Sequence, residues 1–286
     1  MTSATIAMAA LTLLVAGCSG SDKAASMPDG GETSSADASQ SAGAAKPTDS
    51  PKLLPPAPEV GECHKLTFSD VGLFSNQAKE VSCGGTHTAS TFMVETLPER
   101  IAFEGVDIQN AAVQTSAAET CKAAFPAFIG GDAPMRALAR LTATYFLPKQ
   151  RDFDLGARWV RCDVIALQSQ QALGPLPSKV KGLLDDQDAL DEVGLCSTAE
   201  PGVEVSTLVM CTQPHEFRAL AAVRLGDNDA AYPGVVRAED TGQQCEELVS
   251  EELGVEGGFT YGWTFPSAAD WTAGQRIGYC WNKTTD

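Results

Sequence analysis

The stretch PKQRDFDLGARWVRC, residues 148–162, returns as PSAADWTAGQRIGYC, residues 266–280, without a gap. Pro148, Asp152, Gly156, Arg158 and Cys162 fall on Pro266, Asp270, Gly274, Arg276 and Cys280. Outward from this pair the likeness continues. VGECHKL around Cys63 matches VGLCSTA around Cys196, and VSCGGTHTASTF matches VMCTQPHEFRAL, so Cys83 and Cys211 each stand four positions before His87 and His215. The third cysteines, Cys121 and Cys245, lie on helical patterns. A unit of about a hundred residues is therefore present twice in tandem.

Each unit has the same order of local signals. Two β-rich runs with partial alternation flank the Cys-x-x-x-His turn, and they predict two neighbouring strands. In the first unit Asp107 can cap a helix with apolar positions at Ile108, Ala111, Ala118, Cys121, Phe125 and Phe128, ending at Gly130-Gly131. Pro126 should tighten or break its last turn, since it removes a backbone donor. In the second, Cys245, Leu248, Val249 and Leu253 form the stripe and Gly254 ends it. A closing strand, ARWVRCDVIAL or QRIGYCWN, completes the unit. The fold class is α+β: two tandem domains, each a small antiparallel sheet with a helix across it and two disulfides. The predicted boundaries are 59–170 and 193–286. Between them, 171–192 carries Pro, Gly and an acidic cluster, which predicts a linker with one short helix at 179–190.

The N-terminal 58 residues follow other rules. Ile6 to Ala16 is apolar but too short to span a bilayer, and Val15-Ala16-Gly17-Cys18 resembles a bacterial lipobox. Residues 1–17 are expected to be a signal peptide and Cys18 the lipid attachment point. From 18 to 58 the Ser, Ala, Asp and Pro content leaves too little apolar surface to offset ordering, so this stretch is expected to be a disordered tether. The chain would then stand on the extracytoplasmic face of the cell membrane, held by lipid alone. Outside the membrane thiols oxidise. The duplication predicts pairing within units: Cys63 with Cys83, Cys121 with Cys162, Cys196 with Cys211, and Cys245 with Cys280.

The chain carries a formal net charge of −17. Residues 60–170 hold 10 basic and 12 acidic side chains, whereas 171–286 hold 7 and 19, a net −12. Such a surface repels polyanions, which argues against nucleic acid and against contact with an anionic leaflet except through the anchor. Cys83-x-x-x-His87 and Cys211-x-x-x-His215 could be zinc half-sites, but oxidised cysteines are not ligands. The reading preferred here is that His87 and His215 hold their turns. With three histidines and no Gly-x-Ser-x-Gly elbow, no nucleophile, base and orienting group can be assembled, and the Gly-Gly pairs lack the Lys-Ser/Thr of a phosphate loop. No metal, cofactor or catalytic residue is expected. The Asp-Phe and Asp-Trp pairs at 152 and 270 could hold a sugar, but their place before a Gly turn points to a core feature.

The succession Val-Gly-x-Cys, Cys-x-x-x-His, a helical Cys, and Pro, Asp-(Phe/Trp), Gly-x-Arg, Cys resembles the septum-formation family domain of actinobacterial envelope proteins, once in each unit. The second unit, with CTQPHEF and DWTAGQR, fits more closely. The resemblance implies an envelope protein associated with septation, and it supplies no catalytic residues; the leading expectation is a protein that acts by binding other envelope or divisome proteins. A small-molecule sensor using the groove between the units, or a cell-wall enzyme with converging carboxylates, are the alternatives.

Overall fold

A computed structural model describes residues 54–103 and 105–284. The signal peptide, Cys18 and the tether up to residue 53 lie outside the described residues. The first repeat contains β1 (Cys63–His64), α1 (Phe68–Val71), β2 (Glu80–Val81), β3 (Ala89–Thr96), α2 (Ala111–Ile129), α3 (Ala133–Ala137), β4 (Leu141–Phe146), α4 (Gln150–Asp154), β5 (Trp159–Leu167) and β6 (Leu173–Gly174). Two short 3₁₀ turns and α5 (Leu190–Val193) follow. The second repeat contains β7 (Leu195–Ser197), β8 (Leu208–Met210), β9 (Phe217–Arg224), α6 (Val235–Gly242), α7 (Cys245–Leu253), β10 (Tyr261–Thr264), α8 (Ala268–Thr272) and β11 (Ile277–Lys283).

Both sheets are antiparallel and have the same topology. The first runs β2-β1-β3-β5-β4, with β6 extending the pairing of β5, and the second runs β8-β7-β9-β11-β10. The strands on either side of each Cys-x-x-x-His turn are therefore not neighbours, as the sequence reading had them. The short strand that opens each repeat lies between them: Cys63 pairs with Val81 on one side and Ser90 on the other. The connection must span two inter-strand spacings, roughly 10 Å, which a tight hairpin cannot do. β4 and β10 were not foreseen. Residues 141–145 do alternate, with Leu141, Ala143 and Tyr145 toward the core and Thr142 and Thr144 between them, but the run is short and follows closely on α3.

The main helix of each repeat crosses one face of its sheet. Asn110, not Asp107, caps α2 by accepting from the Ala112 N–H, while Asp107 accepts from Gln109 in the preceding turn. Its buried face is Val113, Ala117, Cys121 and Ile129, whereas Ala111 and Ala118 are exposed. Phe125 and Phe128 reach Phe92 instead, with ring centroids 6.0 and 5.0 Å away. Pro126 sits inside α2, which continues to Ile129 and ends where Gly130 takes φ 80°. α7 buries Cys245 and Val249 and ends at Gly254.

Disulfides join Cys63 to Cys83, Cys121 to Cys162, Cys196 to Cys211 and Cys245 to Cys280, with Cα separations of 5.0–5.4 Å. The second and fourth staple α2 to β5 and α7 to β11.

Residues 171–192 do not form a free linker. Leu176, Val180, Leu184 and Leu190 are buried in a core shared with both repeats, and the helix expected over 179–190 is replaced by the 3₁₀ turns and α5. Apolar residues in this segment outweigh its acidic cluster, which stays on the surface. The repeats also join through backbone: Ala139 bridges Gly194, the Arg140 N–H donates to Val193 at 2.7 Å, and the Leu195 N–H donates to Leu138 at 2.8 Å. An ion pair of 2.8 Å between Arg218 and Asp191 closes one side.

Candidate functional site

The residues singled out by the repeat divide into clasps and recesses. His87 Nδ1 lies 2.9 Å from the Gly85 carbonyl and His215 Nδ1 2.7 Å from that of Gln213, so each Nδ1–H donates across its own turn. The cysteines beside them are oxidised, which leaves no thiolate to hold zinc there.

The Gly-x-Arg segment is a second clasp. Gly156 and Gly274 take φ of 106° and 98°, a conformation open to glycine, and turn the chain so that the arginine folds back over the aromatic residue before it. The Arg158 guanidinium lies 4.1 Å from the Phe153 ring and that of Arg276 4.2 Å from Trp271. Arg158 Nε donates to the Ala102 carbonyl at 2.6 Å, and Arg276 donates to Asn228 at 2.9 Å. Phe153 and Trp271 are buried, so their faces are closed to a sugar.

The alternation along β5 separates two chemistries. Val160, Cys162, Val164 and Ala166 face α2, whereas Arg161, Asp163 and Ile165 face the other side of the sheet. On that side Arg161 and Asp163 form an ion pair of 2.9 Å with both side chains almost fully enclosed. Thr91 donates to Asp163 at 2.8 Å, the Phe146 ring lies 4.6 Å from the Arg161 guanidinium, and buried His64 Nε2 lies 3.5 Å from both Thr91 and Glu62. Burial pushes the Asp163 carboxyl above the usual carboxylate range, against the pull of Arg161 and the Thr91 hydroxyl. An acid this enclosed and paired holds a core and does not face a substrate.

This cluster was missed in the sequence, although a signal was available. The gap-free alignment places Arg161 on Tyr279 and Asp163 on Trp281, so a charged pair two residues apart in one copy is an aromatic pair in the other. The β-sheet registers agree: Thr91 pairs with Asp163 as Ala219 pairs with Trp281.

Beside the cluster each repeat has a recess, at the same place. In the first repeat a cavity of about 280 Å³ is lined by Glu62, His64, Leu147, Trp159 and Arg161, with Pro55 to Pro58 along one side. In the second a cavity of about 430 Å³ is lined by Phe265, Gln275, Ile277 and Tyr279, which stand where Leu147, Ala157, Trp159 and Arg161 stand in the first. Leu208 takes the place of Glu80, because Ser197 pairs with Leu208 as His64 pairs with Glu80. Both are lined largely by apolar atoms, but the first has Glu62, Glu80, Lys149, Asp152 and Arg161 among its lining, whereas the second has Asp270 as its one charged residue beside Phe265, Ile277, Tyr279 and Trp281. Burial raises the Tyr279 hydroxyl above its usual range, with Arg140 opposing, so the phenol stays protonated and can donate. A third cavity, of about 660 Å³, follows the junction of the repeats between Met135, Leu138, Leu190 and Leu248, with Asp132 and Glu252 among its lining.

Fold and recesses together define the class: a duplicated, disulfide-stapled α+β protein with one recess per repeat on the sheet face away from the main helix. The chain belongs to the septum-formation family, whose model matches residues 60–280, a single span that takes in both repeats. No curated protein and no solved structure matches it.

Proposed function

We propose that the chain works by recognition, as a lipid-anchored binding protein on the extracytoplasmic face of the cell membrane that brings together envelope or divisome proteins at the septum. The observation that carries this reading is the pair of recesses at equivalent positions with unlike linings. The first is bordered by the chain's own Pro55–Pro58 segment, which leaves the second as the recess open to a partner. Family membership supports the septal setting. Four disulfides and the lipobox-like Val15-Ala16-Gly17-Cys18 support a place outside the membrane.

The test is site-specific photo-crosslinking in intact cells, with the crosslinker at Val203 beside the second recess or at Lys65 in the first repeat, followed by purification. A partner protein captured from Val203 more than from Lys65 is the expected result. Absence of any captured protein from both positions and from several others over the surface would sink the reading. The junction cavity favours a second reading, a small-molecule sensor that closes its repeats on a ligand. A ligand that co-purifies and raises the melting temperature would support it.

A further inference from the structure

The two recesses differ in one feature besides lining. The residues before β1 run past the first recess as Leu54-Pro55-Pro56-Ala57-Pro58, and four of them line it. The residues aligned with Pro55–Pro58 through Cys63 and Cys196 are Asp188–Asp191, and these are drawn away. They form the end of a 3₁₀ turn and the start of α5, Leu190 is buried at the junction, and Asp191 is paired with Arg218. The second recess therefore lacks a counterpart of that Pro55–Pro58 segment, although Pro201 and Pro266 are among its lining, and it is the larger of the two.

We infer that the second recess is the docking site for a proline-rich, extended segment of another polypeptide. This deepens the recognition reading above and rests on it. Proline rings present flat apolar faces that pack on aromatic walls, and the polyproline II backbone arrives preformed, with carbonyls free to accept. The recess supplies what that ligand needs. Phe265, Ile277 and Tyr279 are the wall, and the Tyr279 hydroxyl and Gln275 amide are donors for unpaired carbonyls. Val203 and Leu208 on its margin are 42% and 37% exposed, apolar surface that a docked segment would cover. The occupant comes from another protein and not from a second copy, because the chain's own Pro55–Pro58 stretch is already seated on its first recess.

The experiment is nuclear magnetic resonance titration of the isotope-labelled full chain with three probes: decaproline, a peptide of residues 51–60, and a Gly/Ser peptide of equal length. Both proline-containing probes should give saturable shifts confined to residues 201–208 and 264–281, and the Gly/Ser peptide none. Val203→Asp and Leu208→Glu, both at exposed positions, should each weaken binding about tenfold or more. The double variant Pro55→Ser/Pro56→Ser should leave binding at the second recess unchanged. The inference is overturned by shifts at the first recess or the junction instead, by no saturation up to millimolar probe, by equal binding of the Gly/Ser peptide, or by self-association that explains the shifts. If crosslinking captures a partner at some other surface, the recognition reading stands and this inference falls; if the peptides bind but no partner is captured anywhere, the recess binds proline-rich chain in solution and both the recognition reading and the docking of another protein fall.

Discussion

Arg161→Met tests whether the buried pair in the first sheet behaves as its geometry requires. Removing the guanidinium leaves the Asp163 carboxylate enclosed with only the Thr91 hydroxyl as donor. Breaking one side of a buried pair costs about 3–5 kcal/mol, because the remaining charge is uncompensated. For a chain of this size each kcal/mol moves the melting temperature about 2–4 °C, so the expected drop at neutral pH is about 6–20 °C. The pH dependence has a definite sign. Burial already raises the Asp163 carboxyl, and loss of Arg161 raises it further. Between the unfolded value of about 3.9 and the raised folded value, the folded state holds more protons than the unfolded chain, so stability falls as pH rises through that window. The variant should therefore regain stability relative to the parent as pH falls from about 7 to about 5. Urea midpoints at the two pH values, with disulfides intact, measure this. The double variant Arg161→Met/Asp163→Leu should be more stable at neutral pH than Arg161→Met alone, since no charge is stranded. A loss below about 1 kcal/mol in the single variant, or one equal at both pH values, would refute the reasoning.

Gly278→Ala should destabilise the second repeat by about 1–3 kcal/mol, since a Cβ there would overlap the Trp263 ring, and calorimetry would register it. Replacing Cys121 and Cys162 together by Ala should cost about 2–4 kcal/mol, and peptide mapping of the native protein without reductant should find no bond between repeats. Cys18→Ala should shift the protein from the membrane to the soluble fraction, with lipid on the parent seen by mass spectrometry; a variant that still pellets would remove the anchor. Neutralising Asp227, Asp229, Glu247 and Glu251 should slow association with a captured basic partner and flatten its salt dependence, read by stopped-flow mixing, while leaving the melting temperature near that of the parent.

Tandem duplication, the α+β class, the helices around Cys121 and Cys245 and the Gly-x-Arg turn can be read from the chain alone, because they rest on short-range periodicity and on a comparison of the chain with itself. Helix α7 and its Gly254 terminus are local in this sense. Three things required the tertiary structure. The insertion of β1 between β2 and β3 depends on pairing across tens of residues, to which local alternation is blind. The incorporation of 171–192 into the core depends on which apolar side chains find a partner surface; its Pro, Gly and acidic residues read locally as a linker, while Leu176, Val180, Leu184 and Leu190 are buried by neighbours distant in sequence. The recesses depend on both. Arg161, Asp163, Thr91 and His64 meet only when three strands bring one face together, and whether a proline-rich stretch lies along that face or α5 turns away from it is decided by the packing of the whole chain.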